Sequence, residues 1–332
     1  MTDLIFHIGL TKCASTTLQQ KVFRHEDGYL GTAPDMPRED NLGKQLQQVT
    51  PFGGRQTISN RGLEKWVERV QWMQARKWPT AHRLILSNES LSGASRLCDR
   101  PILRVLSILK NRFWTQGRVR VVLVLRNQAT RLASGYAEGS KRRWIPGQSE
   151  FERVVERRLQ SRRYVRLLDY SQWVEGLRQV VGPDNVCVLL LEEADTPEFW
   201  GTLAKFCALE RFEPQAFAAI NQSRKNVRSR AGNRWAISDL DTEFRAKVGV
   251  DKFMNLLWPA QISPDIRNRC REAAIARLDT RYRERAAKIP LAERETEIHL
   301  SDFVLQTVRD RCGLFNERLA RQLGRDLEPL GY

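Results

Sequence analysis

Two short stretches of this 332-residue chain carry the residue types that hold an oxyanion. In Gly9-Leu10-Thr11-Lys12-Cys13-Ala14-Ser15-Thr16-Thr17, one lysine and several hydroxyls sit among small side chains. An apolar run over residues 4–9 leads into them, and Leu18, Val22 and Phe23 come next at helical spacing. That order predicts strand, tight loop, helix. Backbone N–H groups at a helix start carry partial positive charge, small side chains let an anion approach them, and a lysine completes the cradle. The general P-loop pattern GxxxxGK[ST] is not met, because no Gly precedes Lys12 and Gly9 is only three residues upstream. A Walker-type Mg–nucleotide site is therefore not expected. An ordinary strand–helix turn with Ser/Thr capping accounts for the same residues equally well.

The second stretch is Leu125-Arg126-Asn127-Gln128-Ala129-Thr130-Arg131-Leu132-Ala133-Ser134-Gly135-Tyr136, which lies directly after the most apolar run in the chain. Arg126 emerges at the end of that run, and Ser134 lies eight residues on, two turns into the next helical pattern. A guanidinium fork and a hydroxyl make a phosphate clamp. Arg126 could equally pair with a carboxylate or a helix C-terminus. Two anion grips at the ends of two strands suit a ligand with two separated phosphate groups.

The elements that must position these residues are legible from periodicity. Apolar runs at residues 4–9, 83–87, 119–125 and 186–191 read as buried strands, and 119–125 is apolar throughout except Arg120, as a central parallel strand should be. Helical patterns cover residues 63–78, 102–113, 128–140, 151–181 with one break near Arg163, and 196–209 with Thr196 as cap. The sequence predicts a three-layer α/β, P-loop-like fold, a central parallel sheet flanked by helices. One domain over 1–332 is expected, with a loop excursion at 31–60 and a mainly helical C-terminal region at 236–332 divided by caps at Ser263-Pro264 and Ser301-Asp302. In such sheets ligands sit beyond the carboxyl ends of the strands, so the residues after Gly9, Ser87, Leu125 and Leu191 are where chemistry belongs.

Composition narrows the partners. Apolar residues make up 41%, which excludes a disordered or collagen-like chain. The formal charge is +16, which points to an anionic partner without naming it. Residues 101–170 alone hold 16 Lys/Arg against five acids, and Lys141-Arg142-Arg143-Trp144 comes after the Ser134 helix, where it could receive an acidic acceptor or simply be a solvated face. The six cysteines form no CxxC pair and read as free thiols of a reducing compartment. The N-terminus lacks a signal-peptide pattern and no apolar run approaches the length of a span, so a cytoplasmic protein is expected.

The two stretches resemble the signatures of PAPS-dependent sulfotransferases (PAPS, 3′-phosphoadenosine-5′-phosphosulfate), especially bacterial and carbohydrate-type members. His7-Ile8-Gly9-Leu10-Thr11-Lys12-Cys13-Ala14-Ser15-Thr16-Thr17-Leu18-Gln19 is similar to their 5′-phosphosulfate loop, HIGxPKTGTTSLQ, and Arg126-Asn127 through Tyr136 is similar to their 3′-phosphate motif, RNPxxRxxSxY. Tyr170 to Trp173 and Phe315 to Ala320 look like weaker signatures. The chain departs from the pattern at Thr11 for Pro, Cys13-Ala14 for Thr-Gly and Gln128 for Pro. Losing the Gly bears on close backbone approach to the phosphosulfate.

The resemblance implies that Lys12, Cys13, Ala14, Ser15, Thr16 and Thr17 hold the 5′-phosphosulfate and that Arg126 and Ser134 hold the 3′-phosphate. It also implies a later basic loop over the nucleotide, for which Arg224, Lys225, Arg228 and Arg230 stand here; a solvated basic loop fits them equally. The expected reaction is in-line transfer of a sulfuryl group to an acceptor hydroxyl, on a carbohydrate or glycoconjugate, with no obligatory metal. Leu86-Ser87-Asn88-Glu89-Ser90-Leu91 resembles the SxExL stretch of carbohydrate-type members, making Glu89 the candidate base; helix capping explains it otherwise. Among the histidines, His7 lies within the first strand and reads as core, while His25, His82 and His299 carry no motif. Two other classes remain, a basic nucleic-acid-binding protein and a P-loop phosphotransferase. The first lacks a recognised nucleic-acid motif and the second the GK[ST] step.

Overall fold

The computed structural model describes residues 2–10, 12–31, 42–49, 58–88, 101–143, 146–213, 233–238, 241–257, 263–288 and 295–332. Four strands, β1 (Asp3–Gly9), β2 (Arg83–Ser87), β3 (Val119–Leu125) and β4 (Val186–Leu190), form one sheet in the order β2-β1-β3-β4. Every pairing is parallel, with His7 opposite Ser87 on one side and opposite Val122 on the other. Parallel strands need crossover connections, and the helices between them supply these and cover the sheet. Burial on both faces is why β1, β2 and β3 read as nearly unbroken apolar runs rather than alternating ones. The expected α/β architecture is the one observed.

The chain divides into two compact units, residues 1–131 with 158–230 and 306–332, and residues 132–157 with 231–305. The first unit contains the sheet. The second contains a short antiparallel pair, β5 (Arg234–Ala236) and β6 (Glu297–His299), and the helices Thr242–Leu257 and Pro264–Ala287, tied by an Arg271–Asp251 ion pair at 2.5 Å. Strands of three residues leave too little pattern to be seen in sequence.

Two regions differ from expectation, and a third keeps its expected bounds with altered geometry, each for a local reason. The 31–60 excursion contains a helix, Leu42–Val49, whose Leu42 and Leu46 are buried and whose Leu42 carbonyl accepts from Trp66 Nε1 at 2.9 Å. The region 151–181 is the end of one helix and two further ones: Gln148–Gln160, Arg162–Leu168 and Tyr170–Val181. Ser161 and Asp169 cap the second and third by accepting from Tyr164 N and Gln172 N. Finally, the helix after residue 101 widens to π geometry over Leu109–Phe113 before Trp114 leaves it.

A buried ion pair anchors the amino-terminal rim of the sheet. Arg83, which opens β2, donates to Glu26 at 2.5 Å and to Glu210 at 2.9 Å, and Glu26 also accepts from the backbone N–H groups of Glu210 and Arg211. Arg83 and Glu26 are both buried. Removing one partner of such a pair leaves an uncompensated buried charge. We expect Glu26→Ala to lower unfolding free energy by about 3–5 kcal/mol in urea denaturation; a loss below about 1 kcal/mol, the scale of a surface pair, contradicts that role.

Candidate functional site

The parallel register sets the exits of β1 and β3 side by side, since Gly9 pairs with Val124. What leaves each strand is therefore brought to one edge. After Gly9 the chain turns sharply: Lys12 and Ala14 take left-handed backbone conformations, with φ of 70° and 59°. Ala14 stands where the resembled motif carries Gly, so the chain adopts the glycine-type turn without glycine. The helical segment 15–25 then begins, one α turn at Ser15–Thr17 passing into π geometry at Leu18–Val22. Gly9 admits Ser15: a Cβ on Gly9 would collide with Ser15 Oγ and sit 3.3 Å from His7 Cε1.

Across this edge Arg126 reaches the first loop directly. Its Nη1 donates to the Lys12 carbonyl at 3.2 Å and its Nε to Thr130 Oγ1 at 3.2 Å. Its own carbonyl accepts from Tyr170 Oη at 2.9 Å, and Arg131 Nη1 donates to the same hydroxyl at 3.2 Å. Tyr170 is buried, which pushes its pKa up and keeps the phenol protonated as a donor. Asn127 caps the helix Gln128–Gly139: its Oδ1 accepts from Thr130 N at 3.1 Å, and its Nδ2 donates to the Gly331 carbonyl. Gln128, the residue in place of Pro, is buried and exchanges hydrogen bonds with Asn316, Nε2 donating to Oδ1 at 2.6 Å.

The residues singled out in sequence fall in several different environments. The Arg126 side chain meets the backbone of Lys12. Ser15 is buried with its Oγ lacking a partner among the described residues, Thr16 is exposed and Thr17 half-buried. The side chain of Cys13 is buried in the core and its N–H donates to the Leu10 carbonyl at 3.1 Å, so neither group faces an anion in this state. Ser134 lies half-buried on the helix that opens at Gln128. Glu89, Arg224, Lys225, Arg228 and Arg230 lie outside the described residues. In the second unit, Arg143 pairs with Glu150 at 2.6 Å, while Lys141 and Arg142 lie 4.5 and 5.0 Å from the Phe244 ring centroid.

One residue at this edge escaped the motif reading. Glu192, just past β4, accepts from Asn127 N at 2.8 Å and from Tyr332 Oη at 3.1 Å, so it holds the loop that carries Arg126. Burial raises its pKa, against hydrogen bonds that lower it. Its place directly after Leu191 was the available signal. His7 is core, as its place in the first strand predicts. Its ring is fully buried, its Nδ1 and Ser87 Oγ share a hydrogen bond at 2.7 Å, and its Nε2 has no partner among the described residues. Gln19 Nε2 donates to the Ser87 carbonyl at 3.3 Å and Asn88 N to the His7 carbonyl at 3.3 Å. The end of β2, two residues before Glu89, is thereby stitched to the first loop and its helix.

Burial lowers the His7 pKa to about 3, so the ring is neutral in the fold. A depressed folded pKa contributes stability above the unfolded value, here 6.5, that is lost as pH falls towards 3. Between about pH 7.5 and about pH 5.5 this single group should cost roughly 1.4 kcal/mol of unfolding free energy. Denaturant titrations of wild type and His7→Gln at both pH values read it: the variant should lack that increment, and an identical pH dependence contradicts the assignment.

No family model matches the chain, and no curated protein does. A solved structure of a sulfotransferase from Alicyclobacillus acidocaldarius aligns over 99% of this chain and 98% of that one, with 13% identity and a TM-score of 0.42. No helix of the described residues is long and apolar enough to cross a membrane.

Proposed function

We propose that the chain is a sulfotransferase that moves a sulfuryl group from PAPS to an acceptor hydroxyl, on a carbohydrate or glycoconjugate. One observation carries the reading most: Arg126 and Lys12, from two motifs more than a hundred residues apart, meet at adjacent exits of one parallel sheet. The residues present fit a nucleotide with phosphate groups at both its 5′ and 3′ positions. The buried Ser15 Oγ, without a hydrogen-bond partner among the described residues, stands at the helix start after the first loop and Lys12. Arg126 and Ser134 come after the neighbouring strand.

In this reading the nucleotide supplies the sulfuryl group and a phosphate leaving group. Lys12 balances the negative charge that develops on that phosphate, assisted by the N–H groups at the start of the helix. Arg126 takes the 3′-phosphate with Ser134 and, through the Lys12 carbonyl, also sets the first loop. Glu89 removes the acceptor hydroxyl proton as the acceptor oxygen bonds to sulfur. His7, Gln19 and Asn88 hold the end of β2 from which Glu89 extends. Arg228 and Arg230 would close over the nucleotide. A carbohydrate acceptor is supported by the SxExL resemblance around Glu89.

The test is a thermal-shift comparison of adenosine 3′,5′-bisphosphate, ATP–Mg and random DNA, and then ³⁵S transfer from PAPS to a glycan panel. Stabilisation by the bisphosphate alone is the expected result. Stabilisation by ATP–Mg only, or steeply salt-dependent binding to DNA, replaces the reading with a phosphotransferase or a nucleic-acid binder. Lys12→Ala should abolish transfer. Arg126→Ala should weaken bisphosphate binding by about 1.5–3 kcal/mol, the scale of a charged hydrogen bond; an unchanged Kd excludes the 3′-phosphate role. Glu89→Gln should keep nucleotide affinity while lowering turnover roughly 10²–10⁴-fold. Activity within a few-fold of wild type moves the base elsewhere.

A further inference from the structure

The opposite rim of the sheet, where β1, β2 and β3 begin, holds a cavity of about 550 Å³. Asp3, His82, Arg83, Arg118 and Arg120 line it, with Ile5 among the apolar contributors. β1 is seven residues long, so at ~3.3 Å per residue this cavity lies about 20 Å from the Lys12–Arg126 edge. It is a separate place from the proposed nucleotide cleft, and its chemistry does not depend on what that cleft binds.

Three arginines and three carboxylates meet here, so the formal charges balance, but the carboxylates are shared unevenly. Arg83 has Glu26 and Glu210. Arg118 takes both oxygens of Asp3, with Nη2 at 2.7 Å and Nε at 3.1 Å. Arg120 has a poorer share of the same carboxylate: its Nη1 is 3.6 Å from Asp3 Oδ2, beyond hydrogen-bond distance. Its guanidinium lies 3.9 Å over the Phe206 ring centroid. One carboxylate thus serves two arginines. Burial, and then Arg118, work against the Arg120 charge. The Nε atoms of Arg83 and Arg120 are both buried, and neither has a hydrogen-bond partner among the described residues. Both Nε atoms are shielded, so a ligand in the cavity would meet only the partly exposed remainder of the Arg120 guanidinium.

We propose that this cavity is a second binding site, for a small organic anion that presents a phosphate, sulfate or carboxylate group to Arg120. A planar guanidinium takes two oxygens of such a group side by side. The volume falls within the range of about 300–1,000 Å³ typical of small-molecule sites. The exposed Ala208 offers apolar surface for the body of the ligand.

Phenyl phosphate is the probe, titrated calorimetrically into the full chain and into three variants. Lys12→Ala removes the other anion grip. Arg120→Gln removes the cation here. Gln116→Glu, at an exposed lining position, adds a competing negative charge without touching the core. Binding should persist in Lys12→Ala, weaken at least about tenfold in Arg120→Gln, the minimum expected for one charged hydrogen bond, and weaken measurably in Gln116→Glu. Should Arg120→Gln fail to fold, Gln116→Glu alone decides. No binding by wild type at millimolar phenyl phosphate, or binding lost in Lys12→Ala and retained in Gln116→Glu, overturns the proposal. Loss of sulfuryl transfer with phenyl phosphate binding intact would refute only the proposed catalytic function.

Discussion

The contact between the Arg126 guanidinium and the Lys12 carbonyl is where the rest of the site takes its shape. A strand flanked on both sides by parallel neighbours delivers its exit loop to a shared edge. β1 and β3 are such neighbours, so the two basic loops cannot avoid each other. Two left-handed residues make the first loop tight, and the absent side chain of Gly9 lets Ser15 close against the strand. On the other side Asn127, Thr130, Tyr170 and Glu192 hold the second loop by its backbone. The guanidinium is therefore held in a braced position, as the proposed anion binding with little reorganisation would require.

The departures from the resembled motifs have structural counterparts. Ala14 keeps the left-handed conformation a glycine would take, at the steric cost of one methyl group. Gln128 replaces a proline at the first position of its helix, where a missing N–H would be harmless. Its amide instead pairs with Asn316 from the helix Asp302–Leu323, linking the second loop to the carboxyl-terminal part of the chain. Gly331 and Tyr332 add to that link through Asn127 and Glu192.

The net charge of +16 does not say which cations are free, because each ion pair removes one base and one acid together. Arg83, Arg118, Arg143 and Arg271 are each held in ion pairs. Lys141, Arg142 and Arg143 read in sequence as a basic run, yet the last is tied to Glu150 and the first two flank Phe244. Counting charges along a chain cannot distinguish paired from available cations, because pairing partners here lie from seven to well over a hundred residues away.

Strand positions were legible to within a residue at each end, since burial on both faces writes itself as a continuous apolar run. From these came the α/β class and the location of the site after Gly9 and Leu125, because ligand geometry in such sheets depends on strand ends alone. The break at Ser161 was expected within two residues, near Arg163, but the break at Asp169, the helix Leu42–Val49 and the three-residue strands were not legible, being decided by single capping bonds or by distant packing. Only the tertiary structure could bring Glu192 to Asn127, seat His7 against Ser87, or gather Asp3, Arg83, Arg118 and Arg120 around one cavity. Periodicity reports which face a residue turns inward; which strand lies beside which is set by how the crossovers pack, and that ordering decides the partners.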